Sequence, residues 1–316
     1  MSSYKPFSTI VHPYPPKESP NRNACAYETG LPSARNAFVF IGGLGDGPHT
    51  VPYARQIARE LEKHSSLSYS VFEVKTRSSF SGYRFSCLAN DVADISELVR
   101  YLRGIGKEKI VLMGHSTGCQ DLMEYAATSS DPVDGFILQA PVSDREGSLV
   151  GKGAEGEKRL DAIVSIAKDM ISSGKGDHPM SHDDLTEDYD RPMSARRFYA
   201  LHAKDMNEAN LVESSGDDNY FGSNLSKEAA SSLWKKIDKP LLILHAALDR
   251  YIDPSVDKKA QIDDWKALCN PGVASDFSGV IPGAGHSVRQ PEGEEWLVNT
   301  VVRFLTSTTA NPSSSL

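Results

Sequence analysis

Short, continuously apolar segments alternate with longer amphipathic segments along most of this chain. The apolar segments have the length and composition of buried β-strands; they cover residues 37–41, 68–75, 109–113, 135–140, 240–245 and 277–281. The segments between them have helical spacing, as in residues 86–103, where apolar side chains recur at three- and four-residue steps: Leu88, Val92, Ile95, Leu98, Val99 and Leu102. Apolar strands that alternate with helices are typical of a parallel sheet covered on both faces. The pattern therefore predicts an α/β fold with a mostly parallel central sheet.

One long region interrupts this alternation. Residues 142–238 are polar with helical periodicity, for example in KRLDAIVSIAKDMI and SARRFYALHAKDM, and contain no strong strand. We interpret this region as a helical, polar cap inserted above the carboxyl-terminal edge of the sheet. The 316 residues then form one domain, 1–316, with a polar tail at 307–316 that is expected to be disordered.

Charge and apolar content narrow the class of protein. A net charge of -8 argues against nucleic acid as the main partner, because phosphate binding needs a basic surface. No segment has the apolar run of a signal peptide or a membrane span. The four cysteines, Cys25, Cys87, Cys119 and Cys269, show neither a metal-binding motif nor paired spacing. We therefore expect a cytoplasmic protein with reduced thiols and no metal or organic cofactor.

The segment KIVLMGHSTGCQDLMEY, residues 109–125, places a serine between two glycines, after a strand and before a helix. A sharp turn at the carboxyl end of a parallel strand exposes its side chain over the ligand crevice of the sheet. The glycines allow close backbone packing, and the amino terminus of the next helix favours developing negative charge. Ser116 is therefore the candidate nucleophile. The alternative is a structural Gly-Ser turn without chemistry.

A serine nucleophile needs a base, which in this type of turn comes last in the chain order serine, acid, histidine. His286 lies in the glycine-rich segment GVIPGAGHSVRQP, between a late strand and the last helix. It is the candidate base, and an ordinary loop histidine is the alternative. His115 is the neighbour of the serine and is expected to face away at the turn. His245 ends a strand and could equally be a core residue.

Three aspartates compete for the role of the acid that orients the base. Asp249 follows the strand at 240–245, and its loop should reach the histidine loop beside it. We predict Asp249 as the acid. Asp253 precedes a proline and could instead cap the next helix. Asp144 follows the preceding strand, and both stay open as alternatives.

The negative oxygen that forms during attack on an ester needs two backbone donors. The N–H of Thr117, directly after the nucleophile, is the first candidate. The second is expected from the early loop IGGLGDG, from Leu44 or Gly43. A glycine-rich loop after a first strand also suggests a dinucleotide site. However, GGLGDG lacks the G-x-G-x-x-G spacing and no helix starts at once, so no cofactor is expected there.

The motifs GHSTG, LDRYID and GAGHS, in this order and these settings, make residues 38–304 resemble the α/β-hydrolase superfamily. The segments FVFIGGLGDGPHTVPY, GHSTGCQD and APVSDRE are similar to a branch of fungal and plant hydrolases that includes intracellular fungal siderophore esterases. The resemblance implies that Ser116, Asp249 and His286 are nucleophile, acid and base. It also implies hydrolysis of ester bonds in a hydroxamate siderophore such as fusarinine C, with release of iron inside the cell. One departure is Gly42-Gly43, where many members have His-Gly; the backbone donor is retained, but a side-chain contact is lost.

Two segments of the cap region concentrate acidic residues: Asp177, Asp183, Asp184, Glu187, Asp188, Asp190, Glu213, Asp217 and Asp218. A solvated acidic loop is the simple interpretation. The alternative is a cap that attracts a cationic substrate, and fusarinine C carries free amines. Aromatic residues of the region could form apolar walls of a substrate site or the core of the cap: Tyr189, Phe198, Tyr199, Tyr220 and Phe221.

The residues leave two further functions open. A general carboxylesterase, thioesterase or lipase would use the same mechanism on another small-molecule ester, although the polar cap argues against an extracellular lipase. A non-catalytic binding protein on a hydrolase scaffold is the second alternative, but such proteins usually lack one of the three reactive side chains. No segment specifies a dimer, so the oligomeric state is left open.

Overall fold

The computed structural model describes residues 6–16, 24–181, 185, 192–204 and 218–310. Its strands are β1 (Ile10–Pro13), β2 (Cys25–Gly30), β3 (Asn36–Ile41), β4 (Tyr69–Val74), β5 (Ile110–His115), β6 (Gly135–Gln139), β7 (Leu241–Ala246) and β8 (Gly279–Ile281). Among the described residues they form one 8-stranded sheet in the order β1-β2-β4-β3-β5-β6-β7-β8. The strands from β4 to β8 in this order are parallel, and β1 and β2 pair antiparallel at one edge. The predicted fold class is confirmed, whereas β1 and β2 were not predicted.

The helices of the described chain are α1 (Pro52–Lys63), α2 (Leu88–Gly104), α3 (Gly118–Thr128), α4 (Asp144–Leu149), α5 (Gly153–Ser172), α6 (Ala195–His202), α7 (Lys227–Trp234), α8 (Lys258–Leu268) and α9 (Pro291–Ala310). Local sequence explains several of their starts. Pro52 opens α1, a position where a missing N–H leaves no hydrogen bond unmade. Asp257 caps α8 by accepting from the N–H groups of Lys259 and Ala260.

Helices cover both faces of the sheet because alternate strand residues point to opposite sides. Phe38 and Phe40 of β3 pack on the face that carries α1 and α9. Val39 and Ile41 of the same strand pack on the face that carries α2, α3 and α8. This two-sided burial makes the central strands continuously apolar, and it leaves the carboxyl ends of β3, β5, β6, β7 and β8 at a common edge of the sheet.

The described residues between β6 and β7 form four helices, α4 to α7. Part of this region has its own apolar cluster, in which Leu44 and Tyr83 from outside the region also pack; the cluster includes Leu160, Ile163, Ala167, Met193, Phe198 and Tyr199. The reading of residues 142–238 as a cap on a single domain stays a prediction. The separate apolar cluster is consistent with this prediction, because it gives the region a core of its own.

The structure places the aromatic and acidic residues of this region in different settings. Phe198 and Tyr199 lie in the cluster of the region itself, whereas Tyr220 and Phe221 lie in the core of the sheet. Asp177 is exposed and pairs with Arg196. Asp218, by contrast, is buried and pairs with Arg197, so it is not part of a solvated loop. The remaining predicted positions lie outside the described residues: Asp183, Asp184, Glu187, Asp188, Tyr189, Asp190, Glu213 and Asp217.

The last helix extends further than the sequence pattern suggested. α9 continues to Ala310, so residues 307–310 are helical and do not belong to a disordered tail. Residues 311–316 lie outside the described part of the chain. Among the helices described, none combines the length and the apolar character that a membrane span requires.

Candidate active site

The turn between β5 and α3 holds Ser116 in a left-handed backbone conformation, with φ of 54°. A Cβ at position 114 would lie 2.2 Å from the carbonyl oxygen of Gly118, and a Cβ at position 118 would lie 2.6 Å from that of Ile41. Both positions therefore require glycine. The two glycines of the motif are therefore required for steric reasons. They allow the tight turn that exposes the side chain of Ser116 at the edge of the sheet.

Ser116, His286 and Asp249 form a continuous row of hydrogen bonds. The Nε2 atom of His286 lies 2.8 Å from the Oγ of Ser116, and its Nδ1 lies 2.7 Å from Oδ2 of Asp249. An ionised carboxylate can only accept, so Nδ1 carries the proton and Nε2 accepts from the serine hydroxyl. The structure thus brings together the three side chains that the sequence singled out, from the loops that follow β5, β7 and β8.

The surroundings of Asp249 favour its charged form. Burial opposes that charge, but the hydrogen bond from His286, and the charge of this ring when it is protonated, outweigh burial and lower the pKa of Asp249 below its usual value. The second carboxylate oxygen accepts from the N–H of Tyr251 at 3.0 Å. Asp249 is therefore equipped to orient the imidazole and to stabilise it when it is protonated.

The two rival acids have other partners. Asp253 is exposed and accepts from the N–H and the hydroxyl of Ser255. Asp144 accepts from Nε2 of Gln120 at 2.5 Å. Burial and the neighbouring charge of Asp218 raise the pKa of Asp144 to about 7. Both arrangements favour Asp249 as the partner of His286.

The loop after β3 approaches the serine closely. A Cβ at position 43 would lie 2.7 Å from Cβ of Ser116 and 3.0 Å from the carbonyl oxygen of His115. The N–H of Gly43 donates to Oδ2 of Asp46 at 3.1 Å, which favours Leu44 over Gly43 as the free donor of this loop. Leu44 lines the cavity beside Ser116. Thr117, directly after the nucleophile, is buried against the start of α3.

His115 does not face away from the site, contrary to the expectation from sequence. Its ring centroid lies 4.9 Å from that of His286, and its side chain is buried. Burial and the neighbouring charge of His286 lower the pKa of His115 to about 4, so its ring is neutral at neutral pH. His245, the other open case, is a core residue that packs against Trp265.

Gln139, at the end of β6, was missed by sequence reasoning. Its backbone oxygen accepts from the N–H of Ser116, and its side chain reaches the carbonyl oxygen of His286. No motif marks this residue, because its position beside the site depends on the pairing of β5 with β6.

Ser116 and His286 line a cavity of about 920 Å³. Its wall carries charges of both signs: Asp46, Asp144, Lys152, Arg250 and Arg289. A second cavity of about 670 Å³ shares the wall formed by Val142, Ser143, Val150 and Tyr251. The space suits a substrate larger than a simple acetyl ester.

The described residues do not bring together a set of side chains that could bind a metal ion. None of their His, Cys, Asp and Glu side chains form a group of three or more that could hold a metal ion. The four cysteines are free thiols, two of them buried.

Comparison with known proteins places the chain in a family and adds esterases among its relatives. A UPF0613 protein of Schizosaccharomyces pombe is 31% identical, over 86% of this chain and 88% of the relative. The fusarinine C esterase of Aspergillus fumigatus is 28% identical, over 89% of this chain and 92% of the relative. The solved structure of the siderophore hydrolase EstB from Aspergillus fumigatus superposes with a TM-score of 0.73 at 26% identity, covering 97% of this chain and 99% of that one.

The family model described as a protein of unknown function, DUF1749, matches residues 1–306. The sheet order, the helices on both faces and the likeness to solved hydrolases agree with this match. The chain therefore has the α/β-hydrolase fold and belongs to the DUF1749 family.

Proposed function

We propose that this protein is a serine-dependent carboxylic ester hydrolase with Ser116 as nucleophile, His286 as base and Asp249 as the acid that orients it. The observation that carries the proposal is the row of hydrogen bonds from Ser116 through His286 to Asp249, at the wall of a large cavity. The esterase and hydrolase relatives support the same class of reaction.

The geometry accommodates a two-step hydrolysis. Ser116 Oγ attacks the ester carbonyl while its proton passes to Nε2 of His286, and the buried charge of Asp249 stabilises the imidazolium. The N–H groups of Leu44 and Thr117 bind the oxygen that becomes negative. His286 then returns the proton to the leaving alcohol, which leaves an acyl group on Ser116. In the second step a water molecule gives a proton to His286 and attacks the acyl group. His286 then returns that proton to Oγ of Ser116 as the bond to the acyl group breaks, and the carboxylic acid is released.

The substrate we propose is an ester-linked hydroxamate siderophore of the fusarinine type. Two relatives are named for a fusarinine C and a siderophore substrate, and both align with nearly the whole chain. The cavity beside Ser116, with the second cavity next to it, gives space for a bulky ester. Ferric iron would enter as part of the substrate, and cleavage would weaken its chelation. The free thiols suit a reducing compartment, so we place this activity in the cytoplasm.

The test is a mass-spectrometric assay on purified wild-type protein, Ser116→Ala and Ser173→Ala. Ser173 is an exposed serine after α5 and serves as the matched control. Each protein receives ferric fusarinine C, its acetylated form and p-nitrophenyl acetate. We expect Ser116→Ala to lose about four orders of magnitude or more in turnover, while Ser173→Ala remains like wild type.

The three substrates separate the class of reaction from the specificity. For each substrate, the enzymatic rate is divided by the spontaneous rate of hydrolysis. A larger ratio for ring opening of a siderophore than for hydrolysis of the simple ester would support the siderophore assignment. Turnover of p-nitrophenyl acetate alone would keep the serine esterase and remove the siderophore. Unchanged turnover in Ser116→Ala would refute the nucleophile.

A further inference from the structure

Gln139 contacts both the nucleophile residue and the base residue. Its backbone oxygen accepts from the N–H of Ser116 at 3.0 Å. Its side-chain Nε2 donates to the backbone oxygen of His286 at 3.3 Å, across 147 positions of sequence. Because Gln139 is fully buried at the end of β6, this one residue ties the turn that carries the serine to the loop that carries the histidine.

Two further side chains fix the orientation of the Gln139 amide. Its Oε1 accepts from the hydroxyl of Tyr53 at 2.8 Å and from Nδ1 of His115 at 2.5 Å. Both lone pairs of the amide oxygen are thereby used. A rotated amide would set its NH₂ group against these two partners and its oxygen against the carbonyl of His286. Tyr53 and His115 thus hold the amide in the one orientation that can donate to His286.

The protonation state of His115 is part of this arrangement. Nδ1 of His115 must carry its proton to donate to Gln139, and the low pKa of His115 keeps the ring uncharged. A neutral ring 4.9 Å from His286 adds no positive charge beside the base when the base takes the serine proton. Tyr53 is fully buried and also packs edge-on against His115.

We propose that Gln139 is a positioning residue for the hydrolytic reaction, held by Tyr53 and His115, which sets the separation and angle between Ser116 and His286. The inference rests on the proposed roles of Ser116 and His286. The competing explanation is that the hydrogen bonds merely satisfy buried polar atoms and act only on stability. The two explanations differ in what happens to turnover at constant substrate affinity.

The test compares two buried tyrosines that each lose one hydroxyl. Tyr53→Phe removes a donor to Gln139. Tyr125→Phe removes a hydroxyl that donates to the backbone oxygen of Asp131 at 2.6 Å, near the far end of α3. The measurements are kcat and KM for p-nitrophenyl acetate, with the melting temperature of each variant. We expect Tyr53→Phe to lower kcat about threefold to tenfold with little change in KM, because small displacements at a reacting pair are costly. Tyr125→Phe should keep the kcat of wild type.

Three variants of the network itself provide a further test. Gln139→Met keeps the size of the side chain and removes all three of its hydrogen bonds, and we expect kcat to fall about tenfold to a hundredfold. His115→Asn retains an N–H donor near the place of Nδ1, so it should keep more activity than His115→Leu. If Gln139→Met fails to fold, the two tyrosine variants still decide.

The proposal is overturned if Gln139→Met or Tyr53→Phe keeps wild-type kcat, or if Tyr125→Phe loses as much as Tyr53→Phe. It is also overturned if the loss lies in KM alone. Ser116→Ala in the same assay separates this outcome from failure of the proposed function. An inactive Ser116→Ala with a fully active Gln139→Met refutes only the positioning role, whereas an active Ser116→Ala refutes the nucleophile itself.

Discussion

At the residue scale, the site depends on which nitrogen of His286 carries the proton. Asp249 accepts from Nδ1, which leaves the lone pair of Nε2 directed at the serine hydroxyl. An asparagine in place of Asp249 would present an N–H to Nδ1 and move the proton to Nε2. The base would then face the serine with a proton and could not accept a second one.

We therefore predict that Asp249→Asn lowers kcat by about four orders of magnitude without unfolding the protein. The measurement is steady-state turnover of a p-nitrophenyl ester together with thermal melting. Asp253→Asn is the control, because the Asp253 side chain is exposed and bonds only to Ser255 among the contacts described. A mild effect at Asp249 with a severe one at Asp253 or Asp144 would move the acid to that residue.

The sequence allowed Ser116 and His286 to be proposed because each stands in a motif that determines its local backbone. Asp249 was harder to choose, since three aspartates follow strands and only the folded loops show which one meets the histidine. Gln139 and the contact of His115 with His286 had no signal at all. Their partners are set by strand register and by loops that are distant in sequence.

At the scale of single elements, the loop after β3 and the turn after β5 are in contact. This contact leaves no room for a side chain at position 43, where an added Cβ would meet Ser116 and the backbone of His115. Glycine at this position is therefore a steric requirement of the proposed oxyanion site.

Gly43→Ala should lower kcat by about tenfold to a hundredfold, because the loop must shift and carry the Leu44 N–H with it. Gly104→Ala is the matched control, since a Cβ at position 104, the end of α2, meets nothing within 4 Å. Both variants are compared by kcat and by the rate of labelling with a fluorophosphonate. Wild-type rates in Gly43→Ala would contradict a close approach of this loop to the nucleophile.

The central strands that the sequence predicted and the two strands that it missed differ in their burial. The strands from β3 to β7 are buried on both faces, so their composition is mostly apolar. β1 (IVHP) is the edge strand and β2 (CAYETG) lies next to it; both are partly exposed, and neither sequence is an apolar run. Their pairing stems from contact with β4 and with each other, which local periodicity does not encode.

At the scale of the whole molecule, a buried ion pair lies within the region between β6 and β7, and its arginine also bonds to the rest of the protein. Arg197 of α6 donates to Asp218 and, at 3.1 Å, to the backbone oxygen of Tyr83. It also faces the charges of Asp91 and Asp144. Removal of this cation would leave buried carboxylates without their compensating charge.

We predict that Arg197→Met lowers the free energy of unfolding by about 3 to 5 kcal/mol. Arg196→Met is the control on the preceding residue, because Arg196 pairs with Asp177, whose side chain is 84% exposed. That variant should change the free energy by less than about 1 kcal/mol. Urea unfolding followed by circular dichroism gives both values. Equal effects of the two variants would contradict a role of the buried pair in holding the molecule together.

Because of the position of β8, the protein can lose activity at a lower temperature than the one at which it unfolds. This strand has 3 residues and forms one border of the sheet, and the loop that carries His286 follows it directly. Short border strands detach at lower cost than the centre of a sheet. Heating would then unfold β8 locally and move His286 away from Ser116 while the central strands stay folded. The temperature of inactivation would therefore measure the stability of this edge of the sheet. The hydrogen bond from the buried amide of Gln139 to the backbone oxygen of His286 would oppose this loss.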